Sequence, residues 1–186
     1  MFCTVLHKLK SPENVGMIVR SHVAFGGDKV VFVGHELPWR FRKSTQAFSR
    51  KLEKICELVY LREDEEFFKW CHDHNLSSVA IEISPNTSDL RNFEFPQRTA
   101  LIVGSEAIGL TTDFLARCDA IVRIPQFGQV ECLNVAVSAS VAMYELNRTN
   151  VHANNVSGSK YLVENTSNKC VELTEGPAGA ATHAPR

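Results

Sequence analysis

Residues 124–146 read IPQFGQVECLNVAVSASVAMYEL. The stretch opens as the end of a strand and crosses a polar loop holding two glutamines, Glu131, Cys132 and Asn134. It then becomes a nearly unbroken run of small apolar residues. A connection with no task is usually short and built from Gly, Asn, Asp or Pro, so this loop encloses something. Asn134 suits the N-cap of a helix over 135–148, which leaves free N–H groups facing whatever the loop surrounds. Val135, Val137, Ala139, Val141, Ala142 and Met143 cover more than one face, which predicts a helix buried on all sides. Ala136, Ser138, Ala139, Ser140 and Ala142 are small enough for another backbone, or a second subunit, to pass closely.

Working outward, FCTVLHKL reads as a strand. SPENVGMIVRSHVAFGG follows as a helix with Ser11 as N-cap, Pro12 at its first position, Glu13 in its first turn and Gly26-Gly27 at its end. KVVFVG (29–34) is a Gly-bounded apolar run, the pattern of a strand buried on both faces. The basic stretch HELPWRFRKSTQAFSRKL is less regular. ELVYL, SVAIEI (78–83), TALIVG (99–104) and AIVRIP read as further strands, with EDEEFFKWCHDH and TTDFLARC as helices. The alternation predicts an α/β fold: a largely parallel twisted sheet with helices on both faces. Ligands of such sheets sit outside the carboxyl ends of the strands. Three segments lie there: the loop after TALIVG, the loop after AIVRIP, and the first turn of the first helix.

The chain of 186 residues suits one domain, here 1–149, with a polar tail over 150–186. The tail is rich in Asn, Ser, Thr, Gly and Ala, and its last dozen residues read as disordered, with YLVEN and CVELT as short contact segments. No apolar run reaches the roughly 20 residues of a membrane span. The start turns polar by His7, unlike a secretion signal, so a cytoplasmic location is expected. Six cysteines are scattered without a C-x-x-C pair, which argues against a zinc site and a disulfide framework; no metal is expected. The net charge is −1, yet residues 1–62 hold eleven Lys/Arg against five acids. A basic half on a neutral chain fits a face for a polyanion, or ordinary solvated charge.

The three loops carry the candidate chemistry. Arg20 sits among Ile18, Val19, Val23, Ala24 and Phe25, where an unpaired buried charge would be costly. It either reaches the surface or a local acid, or its guanidinium meets a phosphate or a developing negative charge. IVGSEAIGL places Gly104, Glu106 and Gly109 after a buried strand, so backbone can come close to a ligand with one carboxylate at the rim. That spacing is not the three-glycine dinucleotide fingerprint, which sets aside a nicotinamide or flavin enzyme. In the third loop a plain core helix explains the apolar residues but not Gln126, Glu131, Cys132 and Asn134.

Together NVGMIVRSHVAFG, LIVGSEAIGL and IPQFGQVECLNVAVSASVAMYEL resemble, in order and spacing, the three motifs of the SpoU/TrmH family of the SPOUT superfamily, which are RNA ribose 2′-O-methyltransferases. The resemblance spans roughly Val5 to Arg148. It implies a C-terminal deep trefoil knot, an exception to the usual rule, with S-adenosylmethionine held in the knot. It also implies a homodimer that builds each active site from both subunits. The cofactor residues it implies are Gly104, Glu106, Gly109, Ile124, Gln126 and Leu133, and the catalytic residues Arg20, Asn14, Glu106 and Asn134. On that reading Arg20, held against the target phosphate, orients the attacking ribose hydroxyl. Because a guanidinium is a poor free base, electrostatic stabilisation is its larger role.

Two positions depart from the family pattern: Cys132 stands where Ser is usual, and Ser105 where many members have Asn. A thiol donates a weaker hydrogen bond than a hydroxyl, so Cys132 bears on RNA contact and turnover. With no added RNA-binding domain recognisable, RNA choice falls to Arg40, Arg42, Lys43, Arg50 and Lys51, with Trp39 and Phe41 interleaved as stacking or core residues. The expected substrate is tRNA rather than rRNA. The rivals are a catalytically silent RNA-binding relative and a base-methylating enzyme of the superfamily.

Overall fold

The computed structural model describes residues 1–35, 39–85, 87–130 and 132–148. The expectations for Glu131 and for the tail 150–186 lie outside the described residues. Seven strands, β1 (Phe2–His7), β2 (Lys29–Val33), β3 (Glu57–Leu61), β4 (Ser77–Ile81), β5 (Ser88–Asp89), β6 (Thr99–Val103) and β7 (Ala120–Arg123), form one sheet in the order β3-β2-β1-β6-β4-β7-β5. Every neighbouring pair is parallel. β1 and β6 are buried along their whole length, as a parallel strand covered on both faces must be.

Side chains alternate across the sheet. Phe2, Leu6, Phe32, Leu101 and Val103 pack under α1 (Pro12–Ala24) and α5 (Val135–Leu146), with α2 (Lys43–Ser49) against α1. Cys3, Val5, Val31, Val33 and Ile102 face α3 (Asp64–Asp73) and α4 (Thr112–Leu115) through Phe67, Cys71 and Phe114. From β1 the chain steps outward through β2 and β3, then returns on the far side of β1. The carboxyl ends of β1 and β6 are therefore the switch point where a crevice opens.

Several elements differ from the sequence reading, each for a local reason. The basic stretch contains α2 and a 3₁₀ turn, Leu52–Lys54; it has too few apolar residues for a clear period, and α2 holds by docking on α1 at Gly16. β4 stops at Ile81 instead of 83, because the Glu82 carboxylate turns back to accept from the N–H groups of Ile83 and Leu110. The two-residue β5 has no side-chain signature. α5 ends at Leu146, where Asn147 Nδ2 donates to the Met143 and Phe25 carbonyls. The expectation that α5 is buried on all sides is corrected: Val137, Val141 and Tyr144 are exposed at 48%, 38% and 66%. No helix among the described residues is long and apolar enough to cross a membrane.

A Cβ at Gly16 would lie 2.6 Å from the Thr45 carbonyl oxygen and 2.8 Å from Phe48 Cβ. Alanine there would regain about 1 kcal/mol of helix propensity, so the larger Gly16→Val isolates the clash. It is expected to cost roughly 1–3 kcal/mol, read as a lower urea midpoint with an unchanged slope.

Candidate functional site

Ser11 caps α1 by accepting from the Asn14 N–H at 3.2 Å, and Pro12 follows where no N–H is needed. This fixes the β1–α1 turn so that the N–H groups of Lys10 and Ser11 point at Glu106. The carboxylate takes both at 3.1 Å and the Asn14 Nδ2 at 2.9 Å. Asn14 Oδ1 accepts from Asn134 Nδ2 at 3.0 Å, while Asn134 Oδ1 caps α5 by accepting from Ala136 at 2.9 Å and Val137 at 3.4 Å. Asn14, Glu106 and Asn134 thus form one relay across three distant segments. Burial works to raise the Glu106 pKa, but the hydrogen bonds from Asn14, Lys10 and Ser11 outweigh it and hold the carboxyl below the usual glutamate value.

The two glycines shape the turn after β6. A Cβ at Gly104 would lie 2.5 Å from the Gly109 carbonyl carbon, so the loop closes on itself there. Gly109 has φ +64°, and a Cβ on it would meet Glu82 Oε2 at 2.5 Å. Their first role is thus to close the loop against itself and against Glu82, where the sequence suggested approach to a ligand.

Beside the relay lies a cavity of about 380 Å³ at the carboxyl ends of β4, β6 and β7. Gly104, Glu106, Gly109, Ile124, Gln126 and Leu133 all line it, as do Asn134 and Cys132. Sequence reasoning missed Glu82 and its neighbours Ile81 and Ile83 in the same wall; the signal was their place at a strand's carboxyl end.

Arg20 is not brought to this cavity by its own chain. It is exposed on α1 and makes no hydrogen bond or ion pair among the described residues, so of the alternatives left open by the sequence the single chain shows the one in which Arg20 reaches the surface. Helical spacing puts it on a stripe with Met17, Ser21 and Ala24. Ser21 Oγ lies 2.7 Å from Ser140 Oγ on α5, so this stripe adjoins the helix carrying exposed Val137, Val141 and Tyr144.

A second cavity, of about 870 Å³, shares Ser105 with the first. Arg40 and Arg42 line it together with Lys8, Lys10, His35 and Trp39. Lys43 begins α2, and Arg50 and Lys51 form the left-handed turn after it at φ 53° and 61°; all three are exposed. Trp39 stacks on Phe32 at 5.9 Å and Phe41 meets the same ring edge-on at 6.1 Å, so both contribute to the core. Lys8 is also left-handed, at φ 54°, and its N–H donates to the Val33 carbonyl. That conformation costs roughly 1–2 kcal/mol for a residue with a Cβ. Its ammonium lies 3.6 Å from Asp64 Oδ1, which also bonds buried His7 Nε2 at 2.9 Å. Burial pushes the His7 pKa down, against the pull of Asp64. Among the described residues no group of three His, Cys, Asp or Glu is placed to hold a metal.

Residues 1–144 match the model of the SpoU rRNA methylase family. The chain is 28% identical over 145 residues to the 23S rRNA (uridine(2479)-2′-O)-methyltransferase of Streptomyces viridochromogenes, covering 76% of this chain and 50% of that one. It is 27% identical over 161 residues to the tRNA (guanosine(18)-2′-O)-methyltransferase of Escherichia coli, covering 87% and 67%. The chain thus spans between half and two thirds of these relatives' length. Among solved structures it is similar to the SpoU methyltransferase AviRb of Streptomyces viridochromogenes with bound AdoMet (TM-score 0.73, 25% identity, 80% and 60% covered). It is also similar to a structure described under the 2-OH methylation of C/U34 on tRNA (TM-score 0.70, 25% identity, 80% and 95% covered).

The relay has a pH signature. With the folded pKa of Glu106 below its ordinary 4.5, the carboxylate contacts stabilise fully above that value and fade as pH falls through the lowered one. The stability gap between wild type and Glu106→Gln, measured by urea unfolding, should be constant from about pH 8 to 6 and shrink toward about pH 3.

Proposed function

The chain belongs to the SpoU rRNA methylase family, and from that premise we propose that it transfers a methyl group from S-adenosylmethionine to a ribose 2′-hydroxyl of RNA. The observation that carries this reading is the convergence of the turns after β4, β6 and β7 on one cavity, bound to the head of α1 through Asn134, Asn14 and Glu106. The lining suits the donor. Ile81, Val103, Ile124 and Leu133 offer apolar walls for an adenine, and Glu82 and Gln126 offer polar groups for ribose hydroxyls. The volume is at the lower end of the small-molecule range, about 300–1,000 Å³. When bound, S-adenosylmethionine supplies an electrophilic sulfonium methyl group.

The remaining chemistry falls to the chain's own residues. A ribose hydroxyl is a poor acid, so the attacking oxygen needs a fixed positive charge nearby. Arg20 is the candidate. Its stripe adjoins the exposed apolar residues of α5, and a second copy covering Val137, Val141 and Tyr144 would therefore also meet Arg20. This supports a homodimer in which Arg20 of one subunit acts at the cavity of the other, with Asn14, Glu106 and Asn134 fixing the cavity's edge. The packing of α5 against α1, β4 and β6 is compatible with the knotted path that the family resemblance implies for the chain after β7. Exposed Arg40, Arg42, Lys43, Arg50 and Lys51 supply the RNA face, with Cys132 at the cavity rim. A tRNA substrate is favoured because the match takes in 95% of the relative described under tRNA C/U34 methylation but only 50% of the 23S rRNA enzyme.

Incubation with labelled S-adenosylmethionine and total tRNA or rRNA, followed by nuclease digestion, should yield a 2′-O-methylated nucleoside. A base-methylated product, or none with S-adenosylmethionine bound, overturns the assignment. The composite site has its own test. Arg20→Ala and Leu133→Trp, which fills the cavity from a part-exposed position, should each abolish transfer. Mixed dimers of the two should recover up to about a quarter of wild-type activity, since half are hybrids with one intact site. No recovery places Arg20 outside the partner's site.

A further inference from the structure

The second cavity supports a more specific assignment, which rests on the methyltransferase reading. We propose that this groove receives the unpaired target nucleotide of the RNA, and that Lys8 and Lys10 bind its adjacent phosphate.

Position comes first. Ser105 stands in the walls of both cavities, and Glu106 beside it holds the Lys10 and Ser11 N–H groups. A nucleotide lying in the groove therefore has its sugar next to the turn where the two cavities meet. Charge comes second. Lys8 and Lys10 leave the end of β1, while Arg40 and Arg42 come from the segment after β2, so two separate loops place four exposed cations around one concavity. Lys10, Arg40 and Arg42 have no salt bridge among the described residues, and Lys8 has only its 3.6 Å contact with Asp64. Three cations with no such bridge, beside a fourth that shares Asp64 with His7, leave a net positive concavity that suits an anionic ligand.

The Lys8 position is built. Its left-handed backbone is an outlier for a side-chain-bearing residue, of the kind found where surrounding structure over-determines a functional position. Its aliphatic stem lies across Gly34, where a Cβ would come within 2.7 Å of Lys8 Cε. Gly34 itself has φ +67°. The groove also offers flat and apolar surface. His35 packs edge-on to Trp39 at 5.2 Å, and Ile108 projects into solvent at its margin, 71% exposed. A concave, cation-rimmed site with an aromatic wall takes a splayed-out nucleotide rather than a duplex, whose bases are stacked away. An acidic protein segment would satisfy the cations but leaves the aromatic wall and the shared Ser105 unused.

The test is equilibrium binding of a fluorescent single-stranded oligoribonucleotide at several salt concentrations. Each phosphate contact on a single strand adds about 0.7 to the slope of log affinity against log salt. Lys8→Gln/Lys10→Gln, which removes the contact with that one phosphate, should therefore reduce the slope by about 0.7 and weaken binding roughly 5-fold at 0.1 M salt. Arg40→Gln/Arg42→Gln, on the other loop, should show a similar change. Lys69→Gln/Arg117→Gln, on the opposite face of the sheet, should leave both quantities unchanged. Retained S-adenosylmethionine binding by calorimetry shows that a variant is folded, and the second pair serves if the first is not. Wild-type slopes in both groove pairs, or equal competition by polyglutamate, overturn the groove assignment and leave the methyltransferase reading standing. A wild-type protein that binds no S-adenosylmethionine and transfers no methyl group removes that reading instead.

Discussion

The carboxyl edge of this molecule is organised by two asparagine side chains and one glutamate in series. Glu106 accepts from Asn14, Asn14 accepts from Asn134, and Asn134 accepts from the first turn of α5. The direction is forced, because an ionised carboxylate can only accept. Asn14 must then present its NH₂ to Glu106 and its oxygen to Asn134. Only an amide can donate at one end and accept at the other over this reach; aspartate at either position would set two acceptors against each other. Single hydrogen bonds contribute about 0.5–1.5 kcal/mol, and those to a charged group about 1.5–3. The larger consequence is geometric. The heads of α1 and α5 and the turn after β6 are separated by 92 and 120 residues in sequence, and the relay gives them one fixed relation.

Around that relation the turn after β6 has almost no freedom. Gly104 lets the chain return against itself, Gly109 takes a left-handed bend, and the Glu82 carboxylate fills the space a larger residue at 109 would claim while holding the Leu110 N–H. One glutamate thus ends β4 and braces the turn after β6. The cavity is rigid on this side because its walls are backbone held by backbone and carboxylate bonds. A site on such walls can distinguish ligands by shape without spending side-chain entropy on closure.

Much of this was legible in the sequence because six of the seven strands are short, largely apolar runs bounded by Gly, Pro or polar turns, and because both caps, Ser11 and Asn134, stand directly before their helices. The cavity-lining residues were legible for a related reason: they lie where parallel strands end. Glu82 was not, since one acid at a strand end looks like any solvated charge until its partners 28 residues away are known. Lys8, Lys10 and His35 were not, because the groove they line exists only when the segments after β1 and β2 are side by side. α2 escaped because its stability comes from contact with Gly16 on another helix, which no periodicity within Lys43–Ser49 records.

The reading of α5 failed in an instructive way. Its apolar residues do surround the axis, and periodicity alone equates that with burial. In the single chain Ala136, Ala139, Ala142 and Met143 are buried, while Val137, Val141 and Tyr144 remain in water. Those three recur at spacings of four and three, so they form one stripe rather than scattered exposures. A sequence pattern reports that a residue is apolar, not which surface will cover it. Arg20 is the complementary case: its apolar sequence neighbours left a surface position and a phosphate-facing one both open, and helix geometry turns it outward beside that stripe. The exposed guanidinium is well solvated where it stands, whereas the apolar strip beside it is not; a second copy laid on that strip, as proposed above, would also meet Arg20.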